Sequence, residues 1–141
     1  MSIRHFGRRF AVQAVYQAAI RNEAVADFLN EFKLQTKLNK VIEKWATSLA
    51  LESWQAKQES DKLIETYAIG WTIDRMSVVD LSILRVAFYE LLHSDTPHTV
   101  VLNEAVELAK ELGADESSKF VNGILGNYVK DHVYGTDKNK S

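Results

Sequence analysis

Apolar residues recur along this chain at intervals of three and four rather than two, so the predicted elements are helices. Phe10, Ala14 and Ala18, with Val12, Val15 and Ala19, put a wide apolar face on a first helix from about Gly7 to Ile20. Val25, Phe28, Leu29 and Phe32 mark a short second helix, with Leu34 to Asn39 as the connection that follows. From Lys40 to about Gly70 neither proline nor glycine interrupts a mixed pattern through Val41, Trp45, Leu49, Leu63 and Tyr67. That predicts long helix with one break near Gln55 to Ser60. Val79 to Leu92 is apolar on most sides, as expected of a central helix surrounded by others.

Pro97 stops that helix, because it cannot continue the hydrogen-bond ladder and forces the residue before it toward extended geometry. Thr99 can cap a following helix whose Val101, Ala105, Leu108, Ala109 and Leu112 share a face. Gly113 stands where a left-handed terminating residue is wanted. Asp115 or Ser117 can cap a last helix carrying Phe120, Val121, Ile124, Leu125 and Tyr128 on its buried stripe. Asn122-Gly123 lies inside that stripe, so a hairpin is rejected. A glycine there costs about 1 kcal/mol relative to alanine, which points either to a tightly crossing helix or to a ligand using the opening. No period-two strand, internal repeat or low-complexity linker interrupts the pattern. The expectation is an all-α bundle of six to seven helices over residues 1–134, with a polar, frayed tail over 135–141.

At 141 residues such a chain buries roughly two thirds of its unfolded surface and forms one core without staples. Having no cysteine, it offers no disulfide framework, thiolate nucleophile or zinc-thiolate site, and a cytoplasmic address is the default. The N-terminus is basic but lacks the apolar stretch of a signal peptide, and no run of about 18 apolar residues suits a membrane. Net charge is −2, unevenly spread: residues 1–22 carry Arg4, Arg8, Arg9 and Arg21 and no acid, so the remainder sums to −6. A basic arm on an acidic body suits a polyanion, although a solvated helix face accounts for it too.

Catalytic patterns are missing. There is no phosphate-cradling glycine loop, no dinucleotide fingerprint and no H-E-x-x-H. His5, His93, His98 and His132 form no helical i, i+4 pair for a metal. Glu104/Glu107 and Glu111/Asp115 read as wet surface carboxylates, and Ser117 and Ser118 as helix-start residues. A binding protein without metal or cofactor is expected rather than an enzyme.

Three stretches resemble the NusB family of transcription antitermination factors. They are Arg8 to Gln17 (RRFAVQAVYQ); Asp74-Arg75-Met76 with Asp80 to Leu91 (DLSILRVAFYEL); and Asn103 to Lys110 (NEAVELAK) with Ser118 to Leu125 (SKFVNGIL). Order, spacing and length agree over nearly the whole chain, residues 22–72 matching by pattern alone. The N-terminal arginine run is interrupted here by His5, Phe6 and Gly7, where family members often have consecutive arginines.

The resemblance implies a non-catalytic all-helical domain. It would bind single-stranded boxA RNA, pair with the small-subunit ribosomal protein NusE, and help load the RNA polymerase antitermination complex. It places the RNA face on Arg4, Arg8, Gln13, Tyr16, Lys119 and Phe120, with His5 and Arg9 beside them by position. Arginine forks suit phosphates and an exposed ring suits an unstacked base, so Arg4, Arg8, Arg9 and Lys119 would capture the strand while Tyr16 or Phe120 stacks. Phe120 and Tyr16 could equally be core residues. The NusE-facing surface falls on Asp80, Glu116 and Asp74, acids suited to a basic partner. The competing reading is a protein-interaction module that docks a partner helix and never touches RNA.

Overall fold

The computed structural model describes residues 2–134, and the tail expected over 135–141 lies outside the described residues. Seven α-helices run in order: α1 Ile3–Arg21, α2 Val25–Thr36, α3 Glu43–Gln55, α4 Lys57–Tyr67, α5 Val78–His93, α6 His98–Leu112 and α7 Ser117–Val129. A 3-10 turn, Ile73–Arg75, precedes α5, and a π-helical turn, Lys130–Tyr134, follows α7. The all-α expectation holds. Most elements are a little longer than their apolar stripes, because polar residues at the ends extend each helix without adding to its buried face.

The α1 helix begins four residues earlier than its stripe, with Ser2 accepting a hydrogen bond from the His5 amide. It ends at Asn22 in the left-handed region (φ 56°). The α2 helix continues through Thr36, which moves the connection to residues 37–42. The expected break falls at Ala56 (φ −88°, ψ 9°), which closes α3 and opens α4.

The α5 helix is the spine: it packs against α1, α3, α4, α6 and α7, and Leu81 to Phe88 are buried without exception. Ser77 caps it by accepting from the Asp80 amide at 3.1 Å. Two polar positions on this apolar helix are paired rather than wet. Arg85 donates both ends of its fork to Asp61 of α4 at 2.8 Å, and Glu90 accepts both ends of the Arg8 fork. These pairs fix the rotation of α5 against α4 and α1.

Four local expectations need correction. Pro97, in extended backbone, occupies the N-cap of α6, and Thr99 lies inside the helix. Gly113 is extended (φ −95°, ψ −170°), not left-handed; it is glycine for want of space, because a Cβ would meet the Ser117 hydroxyl at 2.5 Å and the Ala109 carbonyl at 2.8 Å. Neither proposed residue occupies the N-cap of α7: Glu116 stands there, and Ser117 instead accepts from the Ala114 amide. Nor does a helix cross at Gly123, where a Cβ would have nothing within 4 Å. The close approach is at Gly7, whose Cβ would lie 2.9 Å from the Trp45 ring and which lets α1 settle onto α3.

Candidate nucleic-acid and partner interface

The basic N-terminal helix divides its cations between core and surface. Arg4 is exposed, its guanidinium 5.0 Å from the Trp45 ring center. Arg8 is not part of a free arm. Only 3% exposed, it sends Nε and Nη2 to Glu90 at 2.8 and 3.0 Å, because position 8 shares a helical face with the buried Ala11, Val12 and Val15. Its expected role in phosphate capture is corrected to holding α1 against α5. His5 faces inward too: Nδ1 lies 2.7 Å from Glu104 and Nε2 2.6 Å from Glu111. A carboxylate stands at each ring nitrogen, so the imidazole bridges the two acids. His5 thus clasps α6, and Glu104 and Glu111 are not simply wet. Arg9 is half-exposed, with one nitrogen 3.5 Å from Glu111.

One helical turn further on, Gln13 and Tyr16 are partly exposed and line a cleft of about 330 Å³. Phe32 and Thr36 of α2, Val79 of α5 and Leu112 of α6 complete its walls. Tyr16 is therefore neither plain core nor a free surface ring. Leu112 leads through Gly113 into α7, where Lys119 is exposed and has no ion pair among the described residues. Phe120 is half-buried and meets Trp71 edge-on, ring centers 5.4 Å apart. Trp71 is 46% exposed, with the Arg75 guanidinium 6.0 Å from its center. Sequence reading missed this indole. Its signal was an aromatic directly after Gly70, a glycine at φ 83° that ends the α4 connection.

The predicted RNA residues thus fall into separate groups: Arg4 beside Trp45, Arg9 beside Glu111 and on the Gln13 side of α1, the Gln13 and Tyr16 cleft, and Lys119 with Phe120, which the unpredicted Trp71 joins. The end of α6 borders two of these groups, with Glu111 beside Arg9 and Leu112 beside Tyr16. Arg8 is not brought to Lys119.

Among the predicted partner acids, Asp80 is not the exposed carboxylate expected. It is 9% exposed, and its Oδ1 has no hydrogen-bond partner among the described residues. Asp74 is exposed, its carboxyl held below the usual range first by the Thr72 side chain and then by its own backbone amide. Glu116 is exposed at the start of α7. Among the described residues no helix is long and apolar enough to cross a membrane.

The chain is similar in sequence and fold to known proteins. The Thermobifida fusca transcription antitermination protein NusB is 43% identical over 130 residues, covering 90% of this chain and 89% of the relative. The Acetivibrio thermocellus protein of the same name is 37% identical, covering 98% and 96%. Among solved structures, T. maritima NusB superimposes with a TM-score of 0.81 at 34% identity over 96% of each chain. A chain from a crystal structure of antitermination factors NusB and NusE in complex with dsRNA gives 0.82 at 28% identity, covering 94% of this chain and 99% of that one. With the sequence model of the NusB family matching residues 6–130 as well, this chain belongs to the NusB family.

Proposed function

We propose that this protein is a non-catalytic transcription antitermination factor. It binds boxA-type single-stranded RNA together with NusE and helps load the antitermination complex onto RNA polymerase, in the cytoplasm. The observation that carries the reading is the likeness over nearly the whole chain to a chain from a structure of antitermination factors NusB and NusE in complex with dsRNA. The site supplies the chemistry. Arg4, Arg9 and Lys119 offer cations to phosphates, and Tyr16, Phe120 and Trp71 offer ring faces or edges to bases. Arg8 and His5 act indirectly, by fixing the helix that carries Arg4, Arg9, Gln13 and Tyr16. Asp74 and Glu116 are exposed acids that suit a basic partner, and the largely buried Asp80 at the start of α5 completes the expected partner set. Loading is cooperative where partner and RNA favor the same bound form.

The test is a titration of fluorescent boxA-type RNA, with and without NusE, at two salt concentrations. NusE is expected to tighten binding and salt to weaken it. Replacing Arg4 and Arg9 together by alanine should reduce the log-log salt slope by about 1.4, some 0.7 per single-strand phosphate contact. Association with NusE but no RNA binding, alone or in the complex, would replace this reading by that of a protein-interaction module.

A further inference from the structure

We propose that the corner between α2 and α3 is a second single-stranded RNA subsite, taking nucleotides adjacent to those held at Gln13 and Tyr16. The inference rests on the RNA-binding function proposed above. A groove of about 470 Å³ runs between α1 and this corner, with Phe6, Arg9 and Gln13 on one wall and Lys37 and Asn39 on the other. It is continuous with the Tyr16 cleft, because Gln13 and Thr36 line both. On its far side Lys37 opens onto a further depression of about 450 Å³ bordered by Lys33 and Lys40.

Three features point to a nucleic-acid strand. First, Lys33, Lys37 and Lys40 fall within eight residues, and among the described residues only Lys40 reaches a carboxylate, Glu43 at 3.9 Å. Exposed ammonium groups without internal partners can release phosphate counterions from a strand. Second, Phe6 is 51% exposed and shares its groove with Arg9 and Lys37, the pairing of ring and charge that holds unstacked bases. Third, Lys37 is held in the left-handed region (φ 53°) as the C-cap of α2. Glycine or asparagine fills that conformation with less strain. A lysine kept there aims a charge into the groove at the expense of stability, the kind of outlier that marks a working position. From Tyr16 to Phe6 is ten residues of α1, about 15 Å, a distance that a few nucleotides of an extended strand span.

The experiment uses the complex with NusE and two boxA-type RNAs, a core sequence and the same core extended by about five nucleotides at each end. The extended RNA is expected to bind more tightly. Lys33→Gln, Lys37→Gln and Lys40→Gln together should abolish that gain and lower the salt slope by about 2, while binding of the core RNA stays unchanged. Phe6→Ala should cost the extended RNA alone roughly five- to a hundredfold in affinity. Lys37→Gly separates function from fold: it should raise the melting temperature by removing the strained lysine and at the same time weaken binding of the extended RNA. Equal affinity of the wild-type complex for both RNAs would overturn the subsite while leaving the proposed function standing. So would a gain that survives the triple substitution, or a triple variant that loses NusE rather than RNA. Failure of the wild-type complex to bind either RNA would overturn both readings.

Discussion

Arg8→Ala should act on stability rather than on RNA contact. The substitution removes a guanidinium that makes two short bonds to Glu90, and leaves that carboxylate 3% exposed with no cation to face. Breaking a buried ion pair from one side typically costs about 3–5 kcal/mol, most of it the penalty of an uncompensated charge. The Arg8 guanidinium also lies 5.1 Å from the Trp45 ring center, so packing between α1 and α3 is lost as well. In a domain of this size, whose total stability is on the order of 5–15 kcal/mol, the melting temperature should fall by about 10–15 °C. Arg9→Ala, at a half-exposed site with one contact at 3.5 Å, should cost about 1 kcal/mol or less. Calorimetric melts of both variants, paired with RNA titration below the melting transition, separate the two roles. Replacing the pair together, Arg8→Met with Glu90→Leu, should recover much of the lost stability, since an apolar pair of similar bulk leaves no orphaned charge. The reasoning is refuted if Arg8→Ala melts within about 2 °C of wild type and loses RNA affinity; Arg8 would then be the surface cation its sequence position suggested.

Three other outcomes follow from the packing. Gly7→Ala should lose about 1–3 kcal/mol, because its methyl would press into the Trp45 ring, whereas Gly123→Ala, with open space around it, should gain up to about 1 kcal/mol; chemical denaturation of the pair checks both signs. Asp80→Ala should leave the melting temperature nearly unchanged, since Oδ1 has no internal partner to lose, and should weaken NusE association in a binding titration; unchanged NusE affinity would remove Asp80 from the partner surface. Burial, followed by hydrogen bonds to Asp131 and Glu52, pushes the Tyr67 and Tyr89 phenols up to about 12. Because the folded state holds those protons more tightly than the unfolded chain, their contribution is complete below about pH 10 and is lost as pH rises toward 12. Urea midpoints across that window should fall less steeply in Tyr67→Phe and Tyr89→Phe.

Helical periodicity, the proline and the absence of any period-two pattern were enough to lay out an all-α chain with α5 at its center, because each reports a local preference that packing did not override. The three resembling stretches were legible as well, and they carried the family. The face occupied by Arg8 was also readable, since Ala11, Val12 and Val15 follow it at helical spacing. Its partner was not, because Glu90 lies 82 residues away and becomes a neighbor only when α1 docks on α5. The same limit applies to His5, whose two carboxylates come from α6, and to Asp80, whose burial depends on what α5 rests against. Gly113 and Gly123 show it for backbone: a glycine signals that a side chain would be unwelcome or is unneeded, but only the folded neighborhood says which. Phe6, Arg9 and the lysine corner are separate in sequence and form one groove when α1 lies beside the α2 to α3 connection. Local periodicity decides which residues turn inward; the pairing of their charges, and the surface left for a ligand, depends on helices distant in the chain meeting at a particular rotation.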